Sequence, residues 1–367
     1  MDRKIRVGVL FGGKSAEHEV SLQSAANIVR AMDPEKYDTV LIGIDKRGRW
    51  CLNEASQSLL EGENLKLPAL SSENQPVTLV PWARSRQLFP LSDPGSARPV
   101  DVIFPVLHGP LGEDGTVQGL LRLAGIPFVG SGVLASAVSM DKDVAKRLLR
   151  DAGIPIARFL VWEDGCRDQI HFQDVEKALG RPFFVKPANL GSSVGIHKVR
   201  LERELGPALD DAFHYDHKVL LEQNIEGREL ECSVLGNQHP VASLPGEVIT
   251  RHDFYSYEAK YVDEEGAELE IPAQLPDSTG REVQRLAVEA FQVLGCRGMA
   301  RVDFFLTNDC HLLVNEVNTI PGFTRISMYP KLWEASGVTY SDLIDRLIQL
   351  ALESGEREKQ LIDTYEP

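Results

Sequence analysis

Two segments near the C-terminal end of the chain alternate polar and apolar residues in a way that could build a metal site. They are ARVDFF (300–305) and LLVNEVN (312–318). Because alternate residues of a strand face the same side, their polar side chains should share one face. These side chains are Arg301, Asp303, Glu316 and Asn318. Two carboxylates and an amide oxygen suit Mg²⁺ that is held together with substrate phosphates. A surface salt bridge is the alternative, but the turn TIPG directly after NEVN favours the metal site.

A glycine- and serine-rich loop in VKPANLGSSVG (185–195) could bind phosphate. Glycines let the backbone approach an anion, and successive N–H groups and hydroxyls can surround its oxygens. Lys186, which ends the preceding predicted strand, would add a positive charge. An ordinary hairpin would also use glycine and serine here, and this segment alone favours neither interpretation.

The segment HGPLGEDGTVQG (108–119) follows a predicted strand and opens a predicted helix. His108, Glu113 and Asp114 therefore stand beside a helix N-terminus at the carboxyl end of a parallel strand, where ligands commonly bind. The alternative is a strand-to-helix loop with acidic capping residues, in which His108 is structural.

One literal motif match is dismissed. Residues 8–15, GVLFGGKS, satisfy the P-loop pattern GxxxxGK[ST]. Val9, Leu10 and Phe11, however, belong to the predicted strand, so no loop is left that could wrap around a phosphate. We interpret this match as chance.

The order of predicted elements indicates an α/β part followed by α+β parts. Strands at 5–11, 38–44 and 101–107 and a helix at 15–32 predict a parallel sheet. Segment 54–98 is predicted to be a hairpin-and-loop insertion with little core of its own. From residue 130 onward, short strands and helices predict smaller α+β units. The later predicted elements are a helix at 140–153, strands at 154–162, 182–187 and 194–199, a helix at 201–213, strands at 218–225, 229–236 and 239–244, a helix at 277–294, strands at 299–306 and 311–318, and a C-terminal amphipathic helix from residue 340.

Composition excludes several classes of protein. With 54 acidic and 39 basic residues among 367, the net charge is −15, which disfavours nucleic acid or an anionic membrane as a partner. Five cysteines without a CxxC pair indicate neither disulfides nor a zinc site, and they fit a reducing compartment. No apolar run approaches the roughly 20 residues that span a bilayer. We therefore expect a cytoplasmic protein.

Seven motifs in one order along the chain carry a resemblance to a known family. The motifs are GGKSAEHEVSL (12–22), HGPLGEDGTVQG (108–119), MDK (140–142), VKPANLGSSVG (185–195), YEAKY (257–261), ARVDFF (300–305) and NEVNTIPGFT (315–324). Together they resemble the D-alanine–D-alanine ligases, a branch of the ATP-grasp superfamily, from about Gly8 to about Leu352.

The resemblance implies an ATP-grasp fold preceded by a Rossmann-like, or pre-ATP-grasp, parallel-sheet domain. Residues 1–130 would form this N-terminal domain and bind the first D-alanine. Residues 131–222 would form a small central subdomain, and residues 223–367 would form the C-terminal subdomain with the lid loop and metal ligands.

The resemblance also implies roles at the nucleotide. Asp303, Glu316 and Asn318 match the ligands of two Mg²⁺ or Mn²⁺ ions, and Glu316 would bridge them. The residues that match the ATP-binding positions are Lys142, Lys186, Ser193, Glu222, Glu229 and Lys260. Among these, Glu222 would accept a hydrogen bond from the adenine amino group, Glu229 would bind the ribose, and Lys260 would reach the γ-phosphate from the lid.

Further roles concern the two D-alanines. Glu17, with His108 nearby, would hold the first one, and Ser327 with Met328 would bind the carboxylate of the second. Arg301 and the Gly322 N–H match an oxyanion hole. The residues that match a hydrogen-bonded triad closing the lid are Glu17, Ser192 and Tyr261.

The implied reaction joins two D-alanines through a D-alanyl phosphate for peptidoglycan precursor synthesis, and the family suggests a homodimer. The sequence around Tyr261 resembles the dipeptide-forming type rather than D-alanine–D-lactate or D-alanine–D-serine ligases. Other ATP-grasp ligases would share the metal strands and lysines but not HGPLGEDG with EHEVSL. A non-catalytic nucleotide-binding module would have no need of an oxyanion donor such as Arg301.

Overall fold

The structure of the chain is a computed structural model, and it describes most of the chain. The described residues are 3–52, 75–81, 88–92, 99–250 and 267–362. Strands in these ranges form three sheets. One sheet contains parallel strands and the other two are antiparallel, as the pairing registers show.

The first sheet is built around one buried strand. Its strands are β1 (Ile5–Gly12), β2 (Tyr37–Ile44), β3 (Trp50–Leu52), β4 (Gln75–Leu79), β5 (Leu88–Pro90) and β6 (Val102–Val106). β1 pairs in parallel with both β2 and β6. Val9 and Leu10 of β1 are fully buried. The residues that a P-loop would use to wrap phosphate are therefore part of a core strand, as the sequence indicated. Helices α1 (His18–Ala31) and α2 (Thr116–Leu123) follow β1 and β6.

The described part of the predicted insertion extends this first sheet. β4 pairs antiparallel with both β3 and β5. Val77, Leu79 and Leu88 are buried in the same cluster as Leu10 and Ile42. The two strands therefore share the core of the first sheet instead of building a core of their own. The remainder of the predicted insertion lies outside the described residues.

The second sheet has the order β7-β10-β8-β9. The elements of this region are α3 (Val133–Met140), α4 (Lys142–Asp151), β7 (Phe159–Glu163), α5 (Phe172–Leu179), β8 (Phe183–Pro187), β9 (His197–Val199), α6 (Glu202–Tyr215) and β10 (Lys218–Gln223). Two predicted strands start too early. Segment 154–158 crosses to the third sheet, where Ile156 bridges Val314, so β7 begins only at Phe159. Gly195 has a φ of +68°, a turn conformation, and β9 begins after it.

The third sheet has the order β14-β13-β11-β15-β16, with β12 paired to β11. Its elements are β11 (Gly227–Gly236), β12 (Val241–Ala242), β13 (Gly246–Thr250), β14 (Ala267–Glu270), α7 (Asp277–Val293), β15 (Gly298–Thr307), β16 (Leu312–Asn318), α8 (Met328–Ala335) and α9 (Tyr340–Lys359). The predicted strand 239–244 is reduced to two residues. The polar stretch 252–261 lies outside the described residues.

A continuous core joins the first sheet to the C-terminal elements. Phe323 is fully buried, and its ring meets Phe104 of β6 edge-on at 5.9 Å between ring centroids. Leu343 and Leu347 of α9 belong to the same buried cluster as Val9 of β1. Burial of this apolar surface fixes the turn after β16 against the first sheet.

The predicted fold class, α/β plus α+β, is confirmed by the mixed first sheet, in which β2, β1 and β6 are parallel, and by the two antiparallel sheets. The predicted domain limits at residues 130 and 222 stay predictions. Within the part of the chain that the structure describes, no helix combines the length and the apolar character that crossing a membrane requires.

Candidate active site

Strands β15 and β16 bring four polar residues onto one face of the third sheet. Arg301 lies opposite Asn318, and Asp303 lies opposite Glu316. Val302, between two of them, is fully buried on the other face. Two carboxylates and an amide therefore stand side by side on the face that is not packed into the core, because residues alternate along each strand.

Two carboxylates hold the Arg301 guanidinium. Its Nε donates to Asp303 Oδ1 and its Nη2 donates to Asp303 Oδ2, each at 2.7 Å. Nε also lies 2.9 Å from Glu231 Oε2 on β11. Asn318 Nδ2 donates to Asp303 Oδ2 at 3.0 Å. The two parallel hydrogen bonds from Arg301 to Asp303 fix the guanidinium plane beside the carboxylates. Glu231 was not singled out from the sequence, although its alternation in RELEC places it on the same face as Glu229.

Buried lysines face these strands from the second sheet and from α4. We call Lys142, Lys146, Lys186 and Glu222 the lysine cluster. Glu222 of β10 lies 2.5 Å from Lys146 Nζ through Oε1 and 2.5 Å from Lys186 Nζ through Oε2. Lys142 Nζ lies 3.8 Å from Glu316 Oε2. The cluster therefore reaches the face that carries the carboxylates.

Opposing effects set the pKa values in the lysine cluster. Burial would raise the pKa of Glu222, but Lys146 and Lys186 outweigh burial and lower it to about 2. Burial would lower the pKa of Lys186, but Glu222 holds it above its usual range. For Lys142, burial prevails over the attraction of Glu316 and lowers the pKa. Glu222 is therefore an anion, and it can only accept hydrogen bonds.

The N-terminus of α4 is fixed beside β10. Asp141 caps the helix by accepting from the Asp143 and Val144 N–H groups. Lys218 Nζ, from β10, donates to Asp141 Oδ2 at 2.6 Å. These contacts place Lys142, the first residue of α4, next to the loop that follows β8.

That loop is the glycine- and serine-rich segment predicted to bind phosphate. Lys142 Nζ donates to the Leu190 carbonyl at 2.6 Å, and the Asn189 N–H donates to Asp216 at 2.7 Å. Ser192 and Ser193 have φ values of 55° and 60°. Left-handed backbone is costly for serine and occurs preferentially at functional sites. Consecutive residues with positive φ also occur in ordinary type I′ hairpin turns, so the phosphate-binding role of this loop stays a prediction.

Glu17 lies where three of the predicted motifs meet. It is 8% exposed, in the loop before α1. A methyl group added to Gly109 would lie 3.9 Å from Glu17 Oε2, and one added to Gly191 would lie 3.7 Å from it. The loop before α1, the HGPLGEDG loop and the glycine- and serine-rich loop therefore converge on one carboxylate.

The HGPLGEDG loop carries two groups with shifted pKa values. Burial lowers the pKa of His108, against the attraction of Glu17. Its Nε2 atom is buried and has no hydrogen-bond partner among the residues described. Burial, and then the negative charge of Glu17, raise the pKa of Glu113 to about 8, and its Oε2 accepts from the Gly109 N–H at 2.6 Å. A neutral imidazole and a protonated carboxyl thus lie beside the Glu17 carboxylate at pH 7.

The turn after β16 brings in the remaining C-terminal residues. Ser327 Oγ accepts from the Thr324 N–H at 2.9 Å. A methyl group on Gly322 would lie 2.7 Å from the same hydroxyl oxygen. The side chain of Met328 is 4% exposed and packs with Leu332. Because Met328 begins α8, its backbone N–H is the group that an anion at this helix end would meet.

Two of the predicted site residues cannot be located. Lys260 and Tyr261 lie outside the described residues. Glu229 is on β11, and its negative charge contributes to the raised pKa of Lys186. Ser193 lies in the loop next to Ser192.

The donor set on β15 and β16 fits a divalent cation only in part. In the described ranges, no group of three or more His, Cys, Asp or Glu side chains could hold a metal ion. Asp303 and Glu316 supply two carboxylates, and Asn318 supplies an amide oxygen. Mg²⁺ prefers six oxygen ligands, so phosphate or water oxygens must complete its coordination. This set therefore fits an ion that arrives with a nucleotide.

Comparison with known proteins gives one consistent result. The family model described as D-ala D-ala ligase N-terminus matches residues 6–131, and the one described as D-ala D-ala ligase C-terminus matches residues 148–349. The D-alanine–D-alanine ligase of Shouchella clausii is 56% identical, covering 98% of this chain and 97% of its own length. D-alanine–D-alanine ligase A of Escherichia coli K12 is 55% identical, and the match covers 95% of this chain and 96% of that protein.

Solved structures agree with this result. The D-alanine-D-alanine ligase from Coxiella burnetii has a TM-score of 0.84 and 39% identity, with coverage of 98% of this chain and 97% of that one. The VanG D-Ala:D-Ser ligase from Enterococcus faecalis also has a TM-score of 0.84 and is 35% identical. The match covers 95% of this chain and 100% of that chain.

The raised pKa of Glu113 predicts a pH dependence of stability in the ligand-free protein. In the unfolded chain Glu113 ionises near its ordinary value of 4.5, whereas in the folded protein it ionises near 8. The folded state therefore binds the extra proton between these values, and the contribution of Glu113 to stability is lost as pH rises from 4.5 to 8. Urea unfolding at pH 5, 6, 7 and 8 measures the free energy of unfolding. We expect the value for Glu113→Gln to rise relative to that of wild type as the pH increases.

The exposed Glu334 provides the control, since Glu334→Gln should keep the wild-type pH dependence. A constant difference in unfolding free energy between Glu113→Gln and wild type across the series would contradict the assignment of a protonated Glu113.

Proposed function

The chain belongs to the D-alanine–D-alanine ligase family, and we propose that it joins two D-alanine molecules to D-alanyl-D-alanine with cleavage of ATP to ADP and phosphate. The observation that carries the proposal is the face of β15 and β16, where Arg301, Asp303, Glu316 and Asn318 stand opposite the buried lysine cluster. Oxygen ligands for a cation, an oxyanion donor and phosphate-binding cations are the components that an ATP-dependent acyl transfer needs.

The nucleotide would lie between the second and third sheets. Lys142 and Lys186 would bind phosphate oxygens, together with Ser193 of the loop. Glu222, an anion that can only accept hydrogen bonds, would accept one from the adenine amino group. Glu229 would bind the ribose. Lys260, outside the described residues, is proposed as the lid lysine at the γ-phosphate.

Asp303, Glu316 and Asn318 would hold two Mg²⁺ or Mn²⁺ ions, with Glu316 between them. Bound there, the ions would neutralise negative charge that develops on the phosphates during transfer. Lys142 Nζ lies 3.8 Å from Glu316 Oε2, which supports a site where a phosphate-binding cation and a metal ligand are neighbours.

The first D-alanine would bind where the three loops converge. Its ammonium group would pair with Glu17, beside His108, and its carboxylate would take up the γ-phosphoryl group from ATP. The product of this step is D-alanyl phosphate with ADP as the leaving group. His108 Nε2, which has no hydrogen-bond partner in the part of the chain that the structure describes, supports a substrate contact here, because buried polar atoms normally have partners.

The second D-alanine would then attack the acyl carbonyl through its amine. Arg301 and the Gly322 N–H would stabilise the oxyanion, and phosphate would leave. Ser327 and the Met328 N–H at the start of α8 would hold the carboxylate of this second substrate. Water must be excluded from the acyl phosphate, and we propose that Glu17, Ser192 and Tyr261 link the lid to the site for this purpose.

The second substrate is open to one alternative. The similar VanG protein is a D-Ala:D-Ser ligase, so a D-alanine–D-serine or D-alanine–D-lactate ligase is the second candidate. Tyr261, which favours the dipeptide product, lies outside the described residues. We further propose that the product serves peptidoglycan precursor synthesis in the cytoplasm and that the protein is a homodimer.

Release of ADP from ATP in the presence of Mg²⁺ tests the function. We expect release to depend on D-alanine, and mass spectrometry should identify D-alanyl-D-alanine as the product. L-Alanine and bicarbonate serve as controls for other ATP-grasp ligases. Stimulation by either control but not by D-alanine would refute the proposal, and a preference for mixed products with D-serine or D-lactate would identify the second candidate.

Replacement of a proposed metal ligand should abolish turnover without unfolding the protein. Glu316→Gln removes a negative charge at the cations and should lower kcat by about a hundredfold or more. Circular dichroism should be unchanged, because Glu316 lies on the face that is not packed into the core. The exposed Glu334→Gln has the same charge change and should keep wild-type turnover. Near-normal turnover of Glu316→Gln at saturating Mg²⁺ would show that Glu316 is not a ligand.

A further inference from the structure

Lys146 is a buried lysine to which the proposed reaction assigns no role. Its side chain is 2% exposed, in the middle of α4. Its Nζ lies 2.5 Å from Glu222 Oε1 on β10 and donates to the Asn315 carbonyl on β16 at 3.2 Å. One ammonium group thus ties the second sheet to the third, directly behind the proposed nucleotide site.

The contact with Asn315 occurs at an irregularity of the third sheet. Asp303 pairs with Glu316, but the next residue, Phe304, pairs with Val314. Asn315 is therefore an extra residue in β16, a β-bulge, and bulges redirect the side chains beside them. Lys146 satisfies the carbonyl of this bulged residue, immediately before the proposed metal ligand Glu316.

The contact with Glu222 determines the charge of the site. Lys186 and Glu222 alone would form a neutral pair, because each carries one charge and their atoms are 2.5 Å apart. With Lys146 on the other carboxylate oxygen, the three side chains carry a net charge of +1. Burial of a third charged group is costly unless it is paired. Lys146, Lys186 and Glu222 together therefore keep one excess positive charge next to the position proposed for the phosphates.

We propose that Lys146 is a positioning residue for the nucleoside polyphosphate, which pairs with one carboxylate oxygen of Glu222 and so leaves the charge of Lys186 available to the phosphates. Lys146 Nζ is already engaged by Glu222 Oε1 and by the Asn315 carbonyl, so we expect it to act on the nucleotide through Glu222 and not by direct contact. This inference rests on the proposed function, since it takes the cleft between the second and third sheets as the ATP site.

The proposal predicts a loss of affinity that depends on the phosphates. Lys146→Met keeps the apolar stem and removes the charge, so the affinity for ADP should fall about tenfold or more, while the affinity for adenosine changes much less. Isothermal titration of the full chain with ADP and with adenosine measures both. Arg147→Met removes one positive charge from the exposed side of the same helix and should bind both ligands like wild type.

A double variant separates charge from structure. Lys146→Met with Glu222→Gln restores the net charge of +1, so the ratio of its ADP affinity to its adenosine affinity should recover relative to Lys146→Met alone, because this ratio cancels any change in the adenine contact. A purely structural role for Lys146 predicts no recovery. If Lys146→Met does not fold, Lys146→Gln, which can still donate to the Asn315 carbonyl, has the same charge change and the same predicted loss.

The outcomes separate this inference from the proposed function. Wild-type ADP affinity in the Lys146 variants, or equal losses for ADP and adenosine without recovery in the double variant, would overturn the role of Lys146 and leave the ligase activity untouched. Wild-type protein that binds ADP without D-alanine-dependent turnover would refute the ligase activity, while the binding comparison would still decide the role of Lys146. Wild-type protein that does not bind ADP would overturn both.

Discussion

The antiparallel pairing of β15 with β16 is the constraint on which the site depends. It sets Asp303 opposite Glu316 and Arg301 opposite Asn318, and one register shift then separates these pairs from the rest of the ladder. A slip of one residue would turn every one of these side chains into the core. Burial of Val302, Phe304, Val314 and Val317 on the other face makes such a slip costly, so the packing of the third sheet also fixes the chemistry.

Charge in the cleft is balanced locally and is independent of the overall charge of −15. Carboxylates of the third sheet face ammonium groups of α4 and β8, and each side lowers the cost of burying the other. The Arg301 guanidinium lies between Asp303 and Glu231, and the Glu222 carboxylate lies between two lysines. A polyanion with divalent cations would bring charges of both signs to such a surface.

Local patterns predicted strands β15 and β16 and their shared face, and tertiary contacts explain what these patterns missed. Alternation in ARVDFF predicted the shared face because period-two burial is a property of one strand. Lys146 was missed because MDKDVAKRLLRD resembles a solvated helix, and its burial depends on Glu222 from a distant segment. The spacing of Lys142 and Lys146 by four residues, which places both on one helix face, was the signal available. Strand β7 was predicted too long because residues 154–158 are extended but pair with another sheet.

The most direct test of the account is the position of the cation. Crystals of the protein grown with ADP and Mn²⁺ should show anomalous scattering from manganese between Asp303, Glu316 and Asn318, within coordination distance of their oxygen atoms. The β-phosphate should lie on the side of Lys142 and Lys186. Manganese bound elsewhere, or ADP bound with these three side chains still engaged only with one another and with Arg301, would contradict the account.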